Sequence, residues 1–146
     1  MFNSILIVCV GNICRSPTAE AILKHKLEGT GIQVSSDGLG ALVGKPVDAA
    51  AAEVMAEHGL SLPDHSARQL TTEMLHSADL VLAMENRHLQ SIFKMVPEAR
   101  GKSFLFGRWL GGCETPDPYR QSRPAFVHVY SILDKSANAW LPYLKK

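Results

Sequence analysis

Cys9 and Arg15 are the residues whose types and spacing first point to chemistry. Five residues separate them, in the run Cys9-Val10-Gly11-Asn12-Ile13-Cys14-Arg15-Ser16-Pro17. A guanidinium presents a planar fork that grips two oxygens of a phosphate-like dianion. A thiolate held beside such a dianion is a nucleophile placed for in-line attack on phosphorus. Gly11 lets the backbone curl where a Cβ would obstruct, so the N–H groups of Val10, Gly11, Asn12, Ile13 and Cys14 can turn toward an anion. Asn12 tolerates a left-handed backbone and bonds to neighbouring groups. The Ser16 hydroxyl can donate to the Cys9 sulfur, which stabilises a thiolate and helps it leave later.

The flanking residues say how such a loop is held. Ile5-Leu6-Ile7-Val8 is wholly apolar and mostly β-branched, as expected of a strand buried on both faces of a parallel sheet. Ser16 is a good N-cap, Pro17 suits a first helical turn, and the residues up to about Glu28 favour helix. The loop then runs from a strand end to a helix N-terminus, where unpaired N–H groups and a partial positive charge favour both a bound anion and a thiolate.

Further along, apolar runs and helical patterns alternate. Strands are expected at residues 33–36, 79–84 and 103–106. Helices are expected at 48–58, 71–77, 85–95 and from about 124 to 144. That alternation argues for βαβ units with right-handed crossovers. The fold expected is a single α/β domain over residues 1–146, with a four-stranded parallel sheet and helices on both faces. The segment 37–46 is glycine-rich and carries Leu39 and Leu42. It reads either as a plain connector or as a wall of a cleft at the strand ends. His65 to Gln69 reads as polar buttressing of loops. No partner stands at metal-ligand spacing from His65.

Asp117-Pro118-Tyr119 lies in a late loop. A mere turn is one reading. The other is chemical, because a phenolate is a poor leaving group unless an acid protonates it, and Asp117 can supply that proton. Tyr119 is a candidate aromatic wall for a flat ring; Trp109 is another, with ordinary packing an equal reading.

Together, GNICRSP after a buried strand and the distant Asp117-Pro118-Tyr119 resemble the low-molecular-weight protein tyrosine phosphatases. The resemblance spans nearly the whole chain and implies that fold. It implies Cys9 as nucleophile, Arg15 as phosphate clamp and Asp117 as general acid, acting on phosphotyrosine through a phosphocysteine, with no cofactor and no metal. It implies that Ser36 hydrogen-bonds into the phosphate loop. Asp37 stands where a small residue is more usual. For Cys14 it implies a reversible disulfide with Cys9 against overoxidation, beside the plainer reading of a small packing residue. Cys113 reads as incidental. The likeness is strongest to bacterial members that dephosphorylate tyrosine autokinases of capsule or exopolysaccharide export.

Composition limits the rest. The 146 residues suffice for one domain with a sizeable core, and 46% hydrophobic with 20% charged residues is ordinary for a globular protein. A formal net charge of +1 gives no bulk attraction to nucleic acid or to a membrane surface. The N-terminus lacks a basic signal-peptide region and no run is long enough to insert in a membrane, so a cytoplasmic location is expected. Three cysteines without zinc spacing are expected to be free thiols in a reducing compartment. The chain is expected to be a monomer. Two rivals remain. A thiol-dependent arsenate reductase shares the CX5R loop, but no cysteine lies between residues 78 and 100. A binding module without catalysis would need neither Cys9 nor Asp117. No GxGxxG follows the first strand, so dinucleotide binding is excluded.

Overall fold

The structure is a computed structural model, and it describes residues 2–145. Four strands form one parallel sheet: β1 (Ser4–Cys9), β2 (Gln33–Gly38), β3 (Leu80–Ala83) and β4 (Ser103–Leu105). Five α-helices connect and follow them: α1 (Arg15–Lys26), α2 (Ala49–Glu57), α3 (Thr72–Ser77), α4 (Asn86–Met95) and α5 (Arg123–Leu144). The strand order is β2-β1-β3-β4. The fold expected from the alternating pattern is the one observed.

Strand periodicity explains the two-sided core. Ile5, Ile7 and Cys9 alternate with Leu6 and Val8 along β1 and so face opposite sides. The first set packs with α1, α2 and α5 residues such as Ile22, Val54, Phe126, Leu133 and Trp140. The second packs with Leu75, Ile92 and Val96 on the α3–α4 side. β1 is therefore apolar throughout, because both its faces are covered.

Strand order also fixes the site. The chain leaves β1 toward β2 on one side, and β3 lies on the other. Crevices in open α/β sheets form at the carboxyl ends of strands where this reversal occurs. Here the reversal falls on β1, whose last residue is Cys9.

Local details refine the expectations. Ser16 is not an N-cap: α1 starts at Arg15 with Cys14 as its cap residue, and no side chain among the described residues caps it. Ser16 sits inside the first turn, where its hydroxyl meets the sulfur of Cys9 instead. Asp48 does cap α2, accepting from the Ala50 N–H at 3.0 Å. Among the described residues, no helix is long and apolar enough to cross a membrane.

Candidate active site

The loop from Val10 to Cys14 has its carbonyls tied into the body of the protein. Cys9, Val10 and Gly11 carbonyls accept from the N–H groups of Leu39, Gly40 and Leu42 at 2.9–3.0 Å. The Asn12 carbonyl meets His65 Nε2 at 2.6 Å, and the Ile13 carbonyl accepts from the Asp48 N–H at 2.8 Å. Carbonyls anchored outward leave the opposite peptide dipoles turned in. Among the described residues, no protein acceptor takes the N–H groups of Gly11 to Arg15. Successive free N–H groups at a helix start make an anion-binding nest. The loop must pass close to β2, and Gly38 permits it: a Cβ there would lie 2.3 Å from the Val10 carbonyl oxygen.

Buried side chains hold this curl from below. Asn12 adopts φ 59°, the left-handed region, and is fully buried. Its Nδ2 donates to Ser16 Oγ at 2.8 Å and to Ser36 Oγ at 3.0 Å. The Ser36 hydroxyl in turn donates a hydrogen bond to Glu20 Oε1 at 2.6 Å. Ser16 Oγ lies 2.8 Å from Cys9 Sγ, and no other acceptor for that hydroxyl exists among the described residues. Toward an ionised Cys9 the hydroxyl is the donor, and a hydrogen bond of that kind stabilises a negative charge on sulfur.

Arg15 is 2% exposed, so its charge needs partners. Nη1 donates to Glu85 Oε2 at 2.5 Å and to the Thr115 carbonyl at 2.9 Å. Those bonds pin one corner of the guanidinium and aim the rest at the cavity. Glu85 sits just beyond β3, which neighbours β1. Burial alone would push its carboxyl up; hydrogen bonds from Arg87 and Arg15 outweigh that and hold it below its ordinary value. It stays ionised and keeps the clamp oriented.

His88 backs this pair. Its Nδ1 accepts from the Glu85 N–H at 3.2 Å. Burial, with the Arg15 charge adding, pushes its pKa down to about 4 from 6.5. The unfolded chain then binds a proton at His88 between those values and the folded chain does not. Stability should therefore fall as pH drops through that window, with a slope approaching ~1.4 kcal/mol per pH unit. Urea unfolding across the window checks this: His88→Gln should flatten the slope, and an unchanged slope would remove His88 as its source.

The loop, Arg15 and Cys9 floor a cavity of about 200 Å³. Gly40, Leu42, Asp117 and Tyr119 complete its lining. Asp117 Oδ2 lies 3.8 Å from Arg15 Nη2, and Asp117 Oδ1 accepts from the Tyr119 N–H at 3.0 Å, a short turn that steadies the loop. Three side chains from opposite ends of the sequence thus meet in one space: a thiol, a guanidinium and a carboxylic acid.

Other expected residues fall elsewhere. Leu39 does not reach the cavity; it is partly buried and packs against the Leu6–Val8 face of the sheet. Gly40 takes its place in the lining. Trp109 is also absent from the cavity and stacks on Tyr143 with ring centroids 4.2 Å apart, so ordinary packing is its role. Cys14 lines the cavity, and burial pushes its thiol up, with the Asp48, Asp117 and Cys9 charges adding. All three cysteines are free, and Cys113 lies outside the cavity. Sequence reasoning missed Glu85. The available signal was a carboxylate just past the end of a buried strand.

Fold and cavity together define the class, an α/β protein that sets a thiol and a guanidinium against a nest for a phosphate-like anion. The family follows from comparison with known proteins. The sequence model described as low molecular weight phosphotyrosine protein phosphatase matches residues 4–146, and the chain belongs to that family. It is 54% identical over 140 residues to the low molecular weight protein-tyrosine-phosphatase Wzb of Escherichia coli strain K12, covering 96% of this chain and 94% of that one. The crystal structure of the Erwinia amylovora tyrosine phosphatase AmsI superposes with a TM-score of 0.95 at 46% identity, over 100% of this chain and 95% of that one. Vibrio vulnificus Wzb in complex with benzylphosphonate gives 0.94 at 47% identity, over 99% of this chain and all of that one. The chain is a protein-tyrosine-phosphatase.

Proposed function

We propose that this phosphatase works through a phosphocysteine on Cys9 and that Asp117 is its general acid and base. In the first step the Cys9 thiolate attacks phosphorus. An S–P bond forms, the P–O bond to the phenol breaks, and Asp117 gives its proton to the departing oxygen. In the second step Asp117 takes a proton from water, the water oxygen attacks phosphorus, and the S–P bond breaks to release inorganic phosphate and thiolate. Arg15 and the N–H groups of the loop hold the equatorial oxygens in both steps, where charge redistributes. Leu42 and Tyr119 flank the opening as apolar walls for the ring.

The observation that carries this reading is that Cys9, Arg15 and Asp117 share one cavity. A binding module would need the clamp alone. The likeness to Vibrio vulnificus Wzb, solved with benzylphosphonate, supports an aryl-bearing phosphate as ligand.

The physiological substrate we infer is a phosphorylated tyrosine autokinase of capsule or exopolysaccharide export, met in the cytoplasm by a monomeric enzyme. Support comes from the resemblance to that bacterial subgroup. Cys14 is the thiol nearest in sequence to trap an oxidised Cys9 as a disulfide.

Assay on phosphotyrosine, phosphoserine and phosphothreonine peptides, run beside arsenate-dependent thiol oxidation, tests the reaction class. Phosphate release from phosphotyrosine, with the shorter side chains slower by at least about 100-fold, is expected from a site whose acid must reach a phenolic oxygen. Arsenate-dependent thiol consumption without aryl ester cleavage would favour the reductase instead.

A further inference from the structure

One ion pair behind the loop, a buried carboxylate with a half-exposed arginine, has no part in the reaction above. Asp37 is the penultimate residue of β2, and its carboxylate is fully buried. Oδ1 accepts from Arg68 Nε, while Oδ2 has no partner among the described residues. Burial pushes this carboxyl up; Arg68 and, more weakly, His65 oppose the rise, and the Glu20 charge adds to it. A buried carboxylate with an idle oxygen is poor cement, since its desolvation offsets what the pair contributes.

Its connections give it another use. Arg68 lies outside any helix or strand. Its carbonyl accepts from the Gly38 N–H at 2.9 Å, next to Asp37, and its N–H donates to Asn12 Oδ1 at 2.9 Å. Asn12 in turn orients Ser16, and Ser16 meets Cys9. We propose that Asp37 is a positioning residue that acts through Arg68: it fixes the Arg68 N–H that holds the Asn12 amide, and so the direction of the Ser16 hydroxyl toward the Cys9 sulfur. This rests on Cys9 being the nucleophile. Arg68 is half exposed, so without Asp37 its guanidinium swings to water and its backbone loses a tether.

The test compares Asp37→Asn with Asp37→Ala in the full chain. Both remove the charge, but only asparagine keeps a carbonyl acceptor for Arg68. Three readouts are used: kcat and KM on an aryl phosphate, cooperative thermal unfolding, and the pH midpoint of Cys9 alkylation by iodoacetate. Both variants should unfold cooperatively, because relief of the buried charge offsets the lost contact. Asp37→Ala should lose about tenfold in kcat with KM little changed, the scale of one hydrogen bond to a charged group. Its alkylation midpoint should lie above that of Asp37→Asn, which should recover most of the kcat. Equal kcat and midpoint in the two variants would overturn the proposal, as would a loss in kcat that only tracks a fall in melting temperature. If wild-type enzyme alkylated at Cys9 still turned over, the nucleophile assignment itself would fail, whatever the variants did.

Discussion

Cys9→Ser should reduce turnover of aryl phosphates by at least about 10⁴-fold, the scale seen when a catalytic nucleophile is removed. The physical reason is ionisation. A hydroxyl at the end of β1 receives the same field as the thiol, yet gives far less anion near neutral pH, and the loop supplies no base to deprotonate it. The fold should survive. Cys9 is 3% exposed and the replacement differs by one atom, so the loss in stability should stay near 1 kcal/mol. Phosphate binding should survive too, because the nest and Arg15 are untouched. The check is steady-state kinetics beside a binding assay with inorganic phosphate. Binding without turnover is expected, and retained turnover would remove Cys9 from the mechanism.

Asp117→Ala has the second largest effect. General acid catalysis is worth about 10²–10⁴-fold, and the loss should depend on the leaving group. A phenol as basic as tyrosine needs the proton and should lose most. An ester of a more acidic phenol departs as its anion and should lose less. A plot of kcat against leaving-group acidity should therefore be steeper in the variant. Equal losses across the series would reassign Asp117 to binding, through its 3.8 Å approach to Arg15.

Much of this was legible in the residues because the information was local. Cys9 to Pro17 carries strand end, loop and helix start within a few positions, and each element is read from its neighbours. β1 shows its double burial as an unbroken apolar run. What was hidden depends on which residues meet across the sheet. Glu85 reaches Arg15 only because β3 lies beside β1 with Val8 opposite Ala83, a register that sequence spacing does not reveal. Likewise Asp37 and Arg68 are 31 positions apart, and Arg68 lies on a segment outside any helix or strand, so no periodicity brings the two together. Leu39 and Leu42 are equally apolar, yet Leu39 packs against the Leu6–Val8 side of the sheet and Leu42 lines the cavity, a division set by where the chain runs after β2. Ser16 has the composition of a cap but sits one position past the helix start, so its hydroxyl serves the thiol instead.

Rapid acid quench of wild-type enzyme during turnover of a good aryl phosphate, followed by peptide mass analysis, tests the central claim most directly. A phosphoryl group is expected on the peptide that carries Cys9, formed and lost at rates compatible with product release. Steady phosphate production with no adduct at that sulfur, or with the adduct on another residue, would contradict it.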